Sequence, residues 1–495
     1  MPAVGMREVS FLGARATARA PRMSRIGVLL CGALLVGAPA CRGVELGRDP
    51  LSVLNVVPAR SMTSDRACAE QHDARYALLD VVENALCHNP RTWAAWVAVK
   101  AQAAQVGVAK AAYLPTLSGS AQVTRDRTRS EGTDAAPFSV ASNSTYHSDT
   151  LTLNWMLYDF GLRSATVENA EKLLASSMAG QDNVLQTVFA NAVKDYYVAL
   201  VAQKNILAMQ EVEAEAKQVL DAAAVRVRGG VAAVSDQLQA QTAYSQAVYN
   251  RNKAEGDWLS ALGTLAGDMG QRPDSAIELI EPDGAGAPES DLLRSVGELL
   301  QSAQKSQPSL RAARAELEAA QANERMVRAQ GRPSISLSGR YNVNNQSQSS
   351  GVGQPYVGAS GRDRSIGIQL DIPFFEGFSR TYKIRSAQAQ VEGKEASLAD
   401  TELQVAVNVW TNFQALRVSA ENLRTSQDIV ESAQAAFKAA GSRYQKGVAT
   451  ILEMIATQTA LANAQQQHIQ AWAGWRNARI QLAAAVGSLD LSMVH

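Results

Sequence analysis

Residues 115–124 read PTLSGSAQVT and residues 333–343 read PSISLSGRYNV, so one pattern is written twice in a chain of 495 residues. In both stretches apolar or small residues alternate with polar ones. The alternating set is Leu117, Gly119, Ala121 and Val123 in the first stretch and Ile335, Leu337, Gly339, Tyr341 and Val343 in the second. A period of two predicts β-strands with one apolar face and one polar face.

Each of these strands is followed by another, at 148–158 and at 365–374. About ten residues is the length of a transmembrane β-strand. The polar face is mostly Ser, Thr, Asn and Gln, and the loops near 125–149 and 345–364 are long and polar, which is typical of outer-membrane barrels. The alternative is a soluble β-hairpin lying on a helical core.

The duplication extends along the chain. Asn89-Pro90 recurs as Gln307-Pro308, 218 positions later, and Arg226 and Gly230 recur as Arg443 and Gly447, 217 positions later. The sequence therefore predicts a first structural repeat at 76–266, an equatorial linker at 267–290, a second repeat at 291–487 and a tail at 488–495. The predicted strands lie at about 116–125, 148–158, 334–344 and 365–374. Four strands cannot close a barrel, and lipid does not tolerate open edges, so the chain must share a barrel with copies of itself.

Proline-free stretches at 162–228 and 379–446 predict helices of roughly 100 Å each. Glycines then reverse the chain. The return helices, at about 232–266 and 449–486, rise only about 55 Å, and a further helix at 309–330 climbs about 33 Å more. The linker between these two rises is therefore expected at mid-height.

The N-terminus carries a targeting signal. A basic start at Met23, an apolar run and the small residues Ala38 and Ala40 predict a signal peptide at 1–40, with Met23 as an alternative start and an N-terminal extension at 41–75. Cys41 follows the cleavage site and would be lipidated in a lipoprotein, although Ala38 stands where such signals usually have Leu. Cys68 and Cys87 would form a disulfide in an exported chain or remain as buried thiols.

Other function classes find little support. Lys plus Arg and Asp plus Glu are both 47, which argues against a nucleic-acid partner. The sequence has no P-loop, dinucleotide fingerprint, H-E-x-x-H motif or nucleophile elbow. Its five histidines show no metal spacing. We therefore expect no enzyme activity, no cofactor and no metal.

Four motifs in this order resemble the TolC family of outer-membrane efflux and secretion ducts, over residues 75 to 490. They are AL-x-x-NP at 85–90, AAYLPTLS at 111–118, LYDFG at 157–161 and Gly447-Val448 ahead of Glu453. The resemblance implies a mixed α/β membrane protein of the Gram-negative outer membrane that extends into the periplasm. It implies a homotrimer that shares a twelve-stranded transmembrane β-barrel, continued by a long α-helical barrel.

The chain is most similar to the type I secretion branch of this family. That branch implies a passive conduit for an exported protein toxin, which works with a membrane fusion (adaptor) protein and an inner-membrane ABC transporter. The alternative within the family is a drug or metal efflux duct fed by a proton-coupled transporter. The alternative from another class is a periplasmic coiled-coil adaptor.

The resemblance also implies functional residues at the periplasmic tips. Glu453 matches one of two acids that ring the entrance, and Ala456 replaces the other. Tyr444 and Asp236 match two members of the clamp that closes the entrance. Ala449 replaces the arginine of that clamp, for which Lys446 and Arg443 are candidate substitutes. The two tip turns resemble adaptor-docking sites and comprise Gly229, Gly230, Val231, Lys446, Gly447 and Val448. The alternatives are solvated tip charges and helix capping.

Overall fold

The computed structural model describes residues 49–53, 75–131, 139–281, 295–345 and 360–489. Its contacts divide the chain into two units, Met1–Pro50 and Leu51–His495. Of the first unit, only residues 49 and 50 lie within the described ranges. The predicted cleavage site at Ala38 and Ala40, and Cys41, lie outside the described residues.

Four strands form one antiparallel sheet. They are β2 (Thr116–Glu131), β3 (Ser139–Tyr158), β5 (Ser334–Asn344) and β6 (Gly361–Asp371), in the order β2-β3-β5-β6. The two hairpins of the duplicated halves join through β3 and β5. A β-bulge interrupts this pairing between Met156 and Tyr158. Both edges of the sheet, β2 and β6, lack a neighbouring strand among the described residues.

The register places the apolar residues of all four strands on one face. Leu117 pairs with Leu153, which pairs with Gly339, which pairs with Ile366. Two positions further along the strands, a second row on this face contains Trp155, Leu337 and Ile368. Ile366 and Ile368 are 78% and 71% exposed in the single chain. We call this surface the apolar face; it is an uncovered hydrophobic surface that crosses the sheet.

The opposite face is polar. Its rows include Ser118, Thr152 and Arg340, and then Ser120, Thr150 and Asn342. The hydroxyl groups of Ser148 and Thr150 both donate to Asn342 Oδ1, at 3.0 Å each. This second face therefore carries groups that water satisfies well.

The strands lead into two helices of 67 residues, α3 (Leu162–Arg228) and α7 (Ser379–Gln445). Each turns back into a shorter helix, α4 (Val234–Asp268) or α8 (Ile451–Val486). Before each β-hairpin comes a short helix and then a longer one. In the first half these are α1 (Leu78–His88) and α2 (Pro90–Ala111), and in the second α5 (Val296–Ser306) and α6 (Pro308–Ala329). The two halves thus repeat the same element order.

The largest core cluster lies around the middle of α3. It contains Val188, Phe189, Val193 and Tyr196 of α3 together with residues of α1, α4 and α8. A two-residue parallel pairing of β1 (Arg75–Tyr76) with β4 (Glu278–Leu279) lies beside it. The Tyr196 hydroxyl donates to the carbonyl of Ile280, and Lys204 pairs with Glu281 at 2.7 Å. The described part of the linker is therefore held at mid-length of α3.

Four strand boundaries differ from the sequence prediction: the end of β2, the start of β3 and both ends of β6. β2 and β3 extend to Glu131 and Ser139, because their ends continue to pair although charged residues at 125–131 and mostly polar residues at 139–147 mask the alternation. β6 pairs from Gly361 to Asp371 and not to 374, because Pro373 has no N–H for a ladder hydrogen bond. The alternation of Ile372 and Phe374 continues past the point where pairing stops.

Within the described ranges no helix is both long and apolar enough to cross a membrane. In the same ranges no three His, Cys, Asp or Glu side chains are grouped to hold a metal ion. Cys87 is buried in α1 and is disulfide-bonded. Cys68 lies outside the described residues, so its pairing with Cys87 stays a prediction.

Candidate functional site at the hairpin tips

The two helical hairpins end in the same turn. In the second hairpin the N–H of Gly447 donates to the carbonyl of Tyr444 and the N–H of Val448 to that of Arg443, both at 3.0 Å. In the first, Gly230 and Val231 make the equivalent bonds at 3.0 Å. Gly230 and Gly447 have φ of +73° and +75°, which side chains other than glycine rarely adopt. This pattern is the Schellman motif, in which two bonds satisfy the last helix carbonyls.

The docking residues predicted at these turns are presented to solvent. Gly229 and Lys446 are the C-cap residues, and Val231 and Val448 project from the turns as exposed side chains. Helix capping explains the glycines, since it needs their left-handed conformation. An apolar residue at the position of Val231 and Val448 also often accompanies this motif, but here both side chains stay largely exposed. An apolar side chain in that position suits a contact with another protein.

Glu453 lies in the first turn of α8. Its N–H donates to the hydroxyl of the N-cap residue Thr450 at 3.2 Å, so a cap fixes the start of this helix. Its carboxylate accepts a hydrogen bond from Arg443 Nη1 at 2.7 Å. Both side chains are partly exposed, which makes the pair weak, about 0–1 kcal/mol. Arg443, a candidate substitute in the clamp, therefore binds the acidic residue of its own hairpin.

Tyr444 is buried in a small core at the tips. The core unites α3, α4, α7 and α8 through residues such as Leu220, Ala240 and Ile451. Asp236 is half-buried at the start of α4, where its carboxylate accepts from the Ser235 hydroxyl at 3.4 Å. Within the described chain no hydrogen bond joins Asp236 to Tyr444. The structure therefore does not bring these two predicted clamp residues together.

Arg226 makes the contact to Tyr444 instead. Its Nη1 donates to the Tyr444 carbonyl at 3.2 Å, and its guanidinium lies 4.8 Å from the centre of the Tyr444 ring. The same group lies against Gly447 of the second turn. Arg226 thus joins the first hairpin to the second through one hydrogen bond and one cation–π contact.

A second link between the two hairpins lies farther from the tips and joins α3 to α8. Gln458 Nε2 of α8 donates to Glu215 Oε2 of α3 at 3.3 Å. Burial raises the pKa of Glu215, the hydrogen bond from Gln458 opposes that shift, and nearby Glu211 adds to it. A carboxyl group with a raised pKa is thus hydrogen-bonded to a neutral amide at a partly buried helix contact. This link and Arg226 both connect the two hairpins within one chain.

Arg226 and the Glu215–Gln458 pair were not identified as functional from the sequence. The signal for Arg226 was present, since it recurs as Arg443 at the same position of the second half. The structure shows that the two equivalent arginines have different partners. Arg226 reaches the neighbouring hairpin and Arg443 reaches Glu453 of its own.

Comparison with known proteins shows which family has this architecture. The family model described as "Outer membrane efflux protein" matches residues 81–271 and 299–488, one block in each duplicated half. Protein CyaE of Bordetella pertussis is 32% identical over 420 residues, which cover 84% of this chain and 85% of that protein. Outer membrane protein TolC of Escherichia coli is 24% identical over 421 residues, 83% of this chain and 82% of that one.

Solved structures show the same fold. The outer membrane protein VceC from Vibrio cholerae superposes with a TM-score of 0.69 at 21% identity, covering 83% of this chain and 96% of that chain. The MtrE outer membrane channel of Neisseria gonorrhoeae gives 0.67 at 19% identity, covering 83% and 89%. The predicted fold class, a mixed α/β channel-tunnel, is confirmed, and so is the location in the outer membrane with an extension into the periplasm. The chain therefore belongs to the TolC family of outer membrane efflux proteins.

Proposed function

We propose that the chain is the outer-membrane duct of a type I secretion system. In this proposal three copies close a twelve-stranded barrel, and their helices continue it as a passive tunnel through the periplasm. An exported protein toxin passes through, driven by an inner-membrane ABC transporter and guided by a membrane fusion (adaptor) protein. The duct itself catalyses no reaction.

The observation that carries the proposal is the sheet, which has two open edges and one exposed apolar face. Edge strands β2 and β6 expose unpaired backbone groups, which lipid does not tolerate. Because β2 and β6 run in opposite directions within the chain, β6 of one copy would pair antiparallel with β2 of the next. Closure by identical copies removes every edge.

The two faces of the sheet favour a barrel that has membrane around its outer surface and water in its lumen. The apolar face would meet the acyl chains, and the polar face of Ser, Thr and Asn residues would line the lumen. A sheet lying on a helical core would instead bury its apolar residues. Here Leu117, Ile366 and Ile368 are all highly exposed.

The tips supply the contact to the adaptor in this proposal. Val231 and Val448 are the exposed apolar residues of the two turns. Above them a groove of about 650 Å³ opens between α4 and α8, with α3 as its floor. Its walls carry amides such as Gln246, Asn250 and Asn463. An adaptor helix would find apolar contacts at the turns and hydrogen-bonding groups along the groove.

The entrance is the proposed gate. Glu453 and Asp236 would place carboxylates near a threefold axis, and Tyr444 would hold the hairpins together. The clamp arginine is Arg226 in this proposal, because it is the residue whose guanidinium lies on Tyr444. The Arg443 side chain partly neutralises Glu453, so the negative charge at the entrance is weaker than the count of acids suggests.

Two observations bear on the exported substrate. The sequence resembles the branch that secretes the Bordetella adenylate cyclase toxin, and the protein from Bordetella pertussis is more identical to this chain than TolC of Escherichia coli is. A drug efflux duct is the second candidate. It is favoured by a 26% identity over 450 residues with a protein named as the toluene efflux pump outer membrane protein TtgC of Pseudomonas putida.

Deleting the chain in its host, with the transporter and adaptor retained, separates these candidates. We expect an exported protein to remain in the cells while drug accumulation is unchanged. Complementation with Val231→Asp plus Val448→Asp should fail, because docking of the adaptor would have to bury the two introduced carboxylates. Leu259→Asp, equally exposed near the other end of α4, is the control, with trimer formation checked for each variant. Raised drug accumulation with normal protein export would establish the efflux duct instead.

A further inference from the structure

A small pocket of about 230 Å³ lies where β3 passes into α3, beside the end of α6. Arg325 and Arg328 of α6 line it, together with Arg332 in the turn that follows the helix. The start of α3 closes the other side with Phe160, Ser164 and Glu168. Arg325 and Arg328 share one helix face at i and i+3, and the turn after α6 brings Arg332 to the same space.

The pocket is positively charged. Arg325 pairs with Glu168 at 2.7 Å and Arg328 with Glu324 of its own helix at 2.6 Å. Arg332 Nη1 donates to the Phe160 carbonyl at 2.9 Å, and in the described part of the chain it has no carboxylate partner. Two of the three guanidinium groups are thus balanced by carboxylates, and Arg332 supplies one positive charge in excess. The lining therefore has room for a further anion.

The position of the pocket indicates which anion. Phe160 packs edge-to-face against Tyr158, with ring centres 4.6 Å apart. Tyr158 is the register partner of Ile335, which pairs with Leu370, so its ring lies at the end of the apolar face. Phe160, which lines the pocket, therefore adjoins the end of the apolar face, at the level where the strands end.

Exposed aromatic rings cluster at this level in both halves. Besides Tyr158 and Phe160 they are Phe374, Phe375, Phe378 and Tyr382. Phe160 and Phe378 have φ of +50° and +65°, a strained conformation for a bulky residue, yet each ring remains exposed in the single chain. Aromatic girdles of this kind mark the boundary between acyl chains and headgroups. The arginine pocket lies just beyond that boundary, at the depth of lipid phosphates.

We infer that this pocket binds the phosphate of an anionic phospholipid in the periplasmic leaflet. The inference rests on the proposed membrane insertion of the sheet. Arginine suits a phosphate diester because its planar fork donates two parallel hydrogen bonds. The excess positive charge of the lining favours a lipid with a net negative headgroup, such as phosphatidylglycerol, over a zwitterionic one. The bound lipid would fix the height of the sheet in the bilayer and cover Phe160.

Native mass spectrometry of the detergent-solubilised assembly tests the site, with phosphatidylglycerol, phosphatidylcholine or inorganic phosphate added in turn. We expect tighter binding of phosphatidylglycerol than of either other probe. Arg328→Gln and Arg332→Gln should each weaken that binding roughly tenfold, the value of one charge-assisted hydrogen bond. Arg272→Gln is the matched control, because Arg272 is 83% exposed, pairs with Asp274 and lies far along the chain from the pocket.

The binding measurements distinguish a lipid site, a site for free phosphate and the absence of an anion site. Equal phosphatidylglycerol binding by wild type and both pocket variants would overturn the inference. Binding of inorganic phosphate as tight as that of the lipid would show a site for free phosphate instead. Ion conductance in planar bilayers is measured on the same samples. Wild-type protein that conducts but shows no lipid preference refutes the lipid site alone, whereas protein that never inserts refutes the proposed function as well.

Discussion

The carboxyl groups of Asp195 in α3 and Asp268 at the end of α4 face each other near the middle of α3. Asp268 Oδ2 is buried and has no hydrogen-bond donor in the described structure. Burial, together with the neighbouring Asp268, raises the pKa of Asp195 to about 6, although Lys194 opposes the shift. One proton shared by the two carboxyls would satisfy the orphaned oxygen.

This pair predicts a loss of stability as the pH rises. An unfolded Asp has a pKa of about 3.9, so between about pH 4 and pH 6 the folded state binds more protons than the unfolded state. Thermal unfolding should show Asp195→Asn more stable than wild type above pH 6, by about 1 kcal/mol after allowance for solvent screening. Exposed Asp400→Asn is the control. A wild type and an Asp195→Asn variant with parallel pH profiles would contradict the shared proton.

Glu453 carries the second prediction at the residue scale. Threefold symmetry would bring three copies together at the entrance, where carboxylates attract cations. Glu453→Ala should lower the cation-over-anion permeability ratio in planar bilayers by about twofold and weaken block by multivalent cations. Arg443→Gln removes the partner of Glu453 and should raise the ratio. Unchanged selectivity in both variants would show that Glu453 is a solvated helix residue.

At the scale of elements, the contact between the two hairpins depends on Arg226. Arg226→Gln should destabilise the closed tips by about 1 kcal/mol, because a cation–π contact and a charge-assisted hydrogen bond are lost. We expect higher conductance in planar bilayers as the hairpins separate more readily. Arg228→Gln is the control, because Arg228 bonds only to the Ala224 carbonyl of its own helix, at 3.4 Å. Equal conductance of the two variants would rule out the Arg226 clamp.

The short helix α1 carries the disulfide prediction. A Cys68–Cys87 bridge would close a loop of roughly twenty residues and contribute about 3 kcal/mol through loop entropy. Non-reducing peptide mapping should recover the two cysteines in one linked fragment. A bridge between Cys87 and any other cysteine, or two free thiols, would contradict the pairing.

The sequence predicted elements better than the contacts between them. Glycines mark the ends of α3 and α7, and alternation marks the strands, because these signals are local. The partner of Arg226 is 218 positions away, and nothing near Arg226 in the sequence encodes it. The family resemblance places Tyr444 and Asp236 in one clamp, and in the described chain the Asp236 carboxylate bonds to the neighbouring Ser235. Side-chain packing between two long helices decides such contacts, and small changes of rotation redirect them.

For the whole molecule, the central claim is that identical copies complete the barrel. Each chain offers four strands with two open edges and an apolar face that nothing in the described chain covers. The long helices have Ala-rich flanks that a neighbouring copy would bury in the same way. Monomers would therefore leave both the sheet and the helices incomplete.

The mass of the detergent-solubilised, channel-forming protein tests this claim most directly. Native mass spectrometry should give three chains in the species that conducts ions in planar bilayers, and no conducting species of lower mass. A stable monomer that conducts would contradict the account, because one chain would then form a membrane-spanning pore with only four strands.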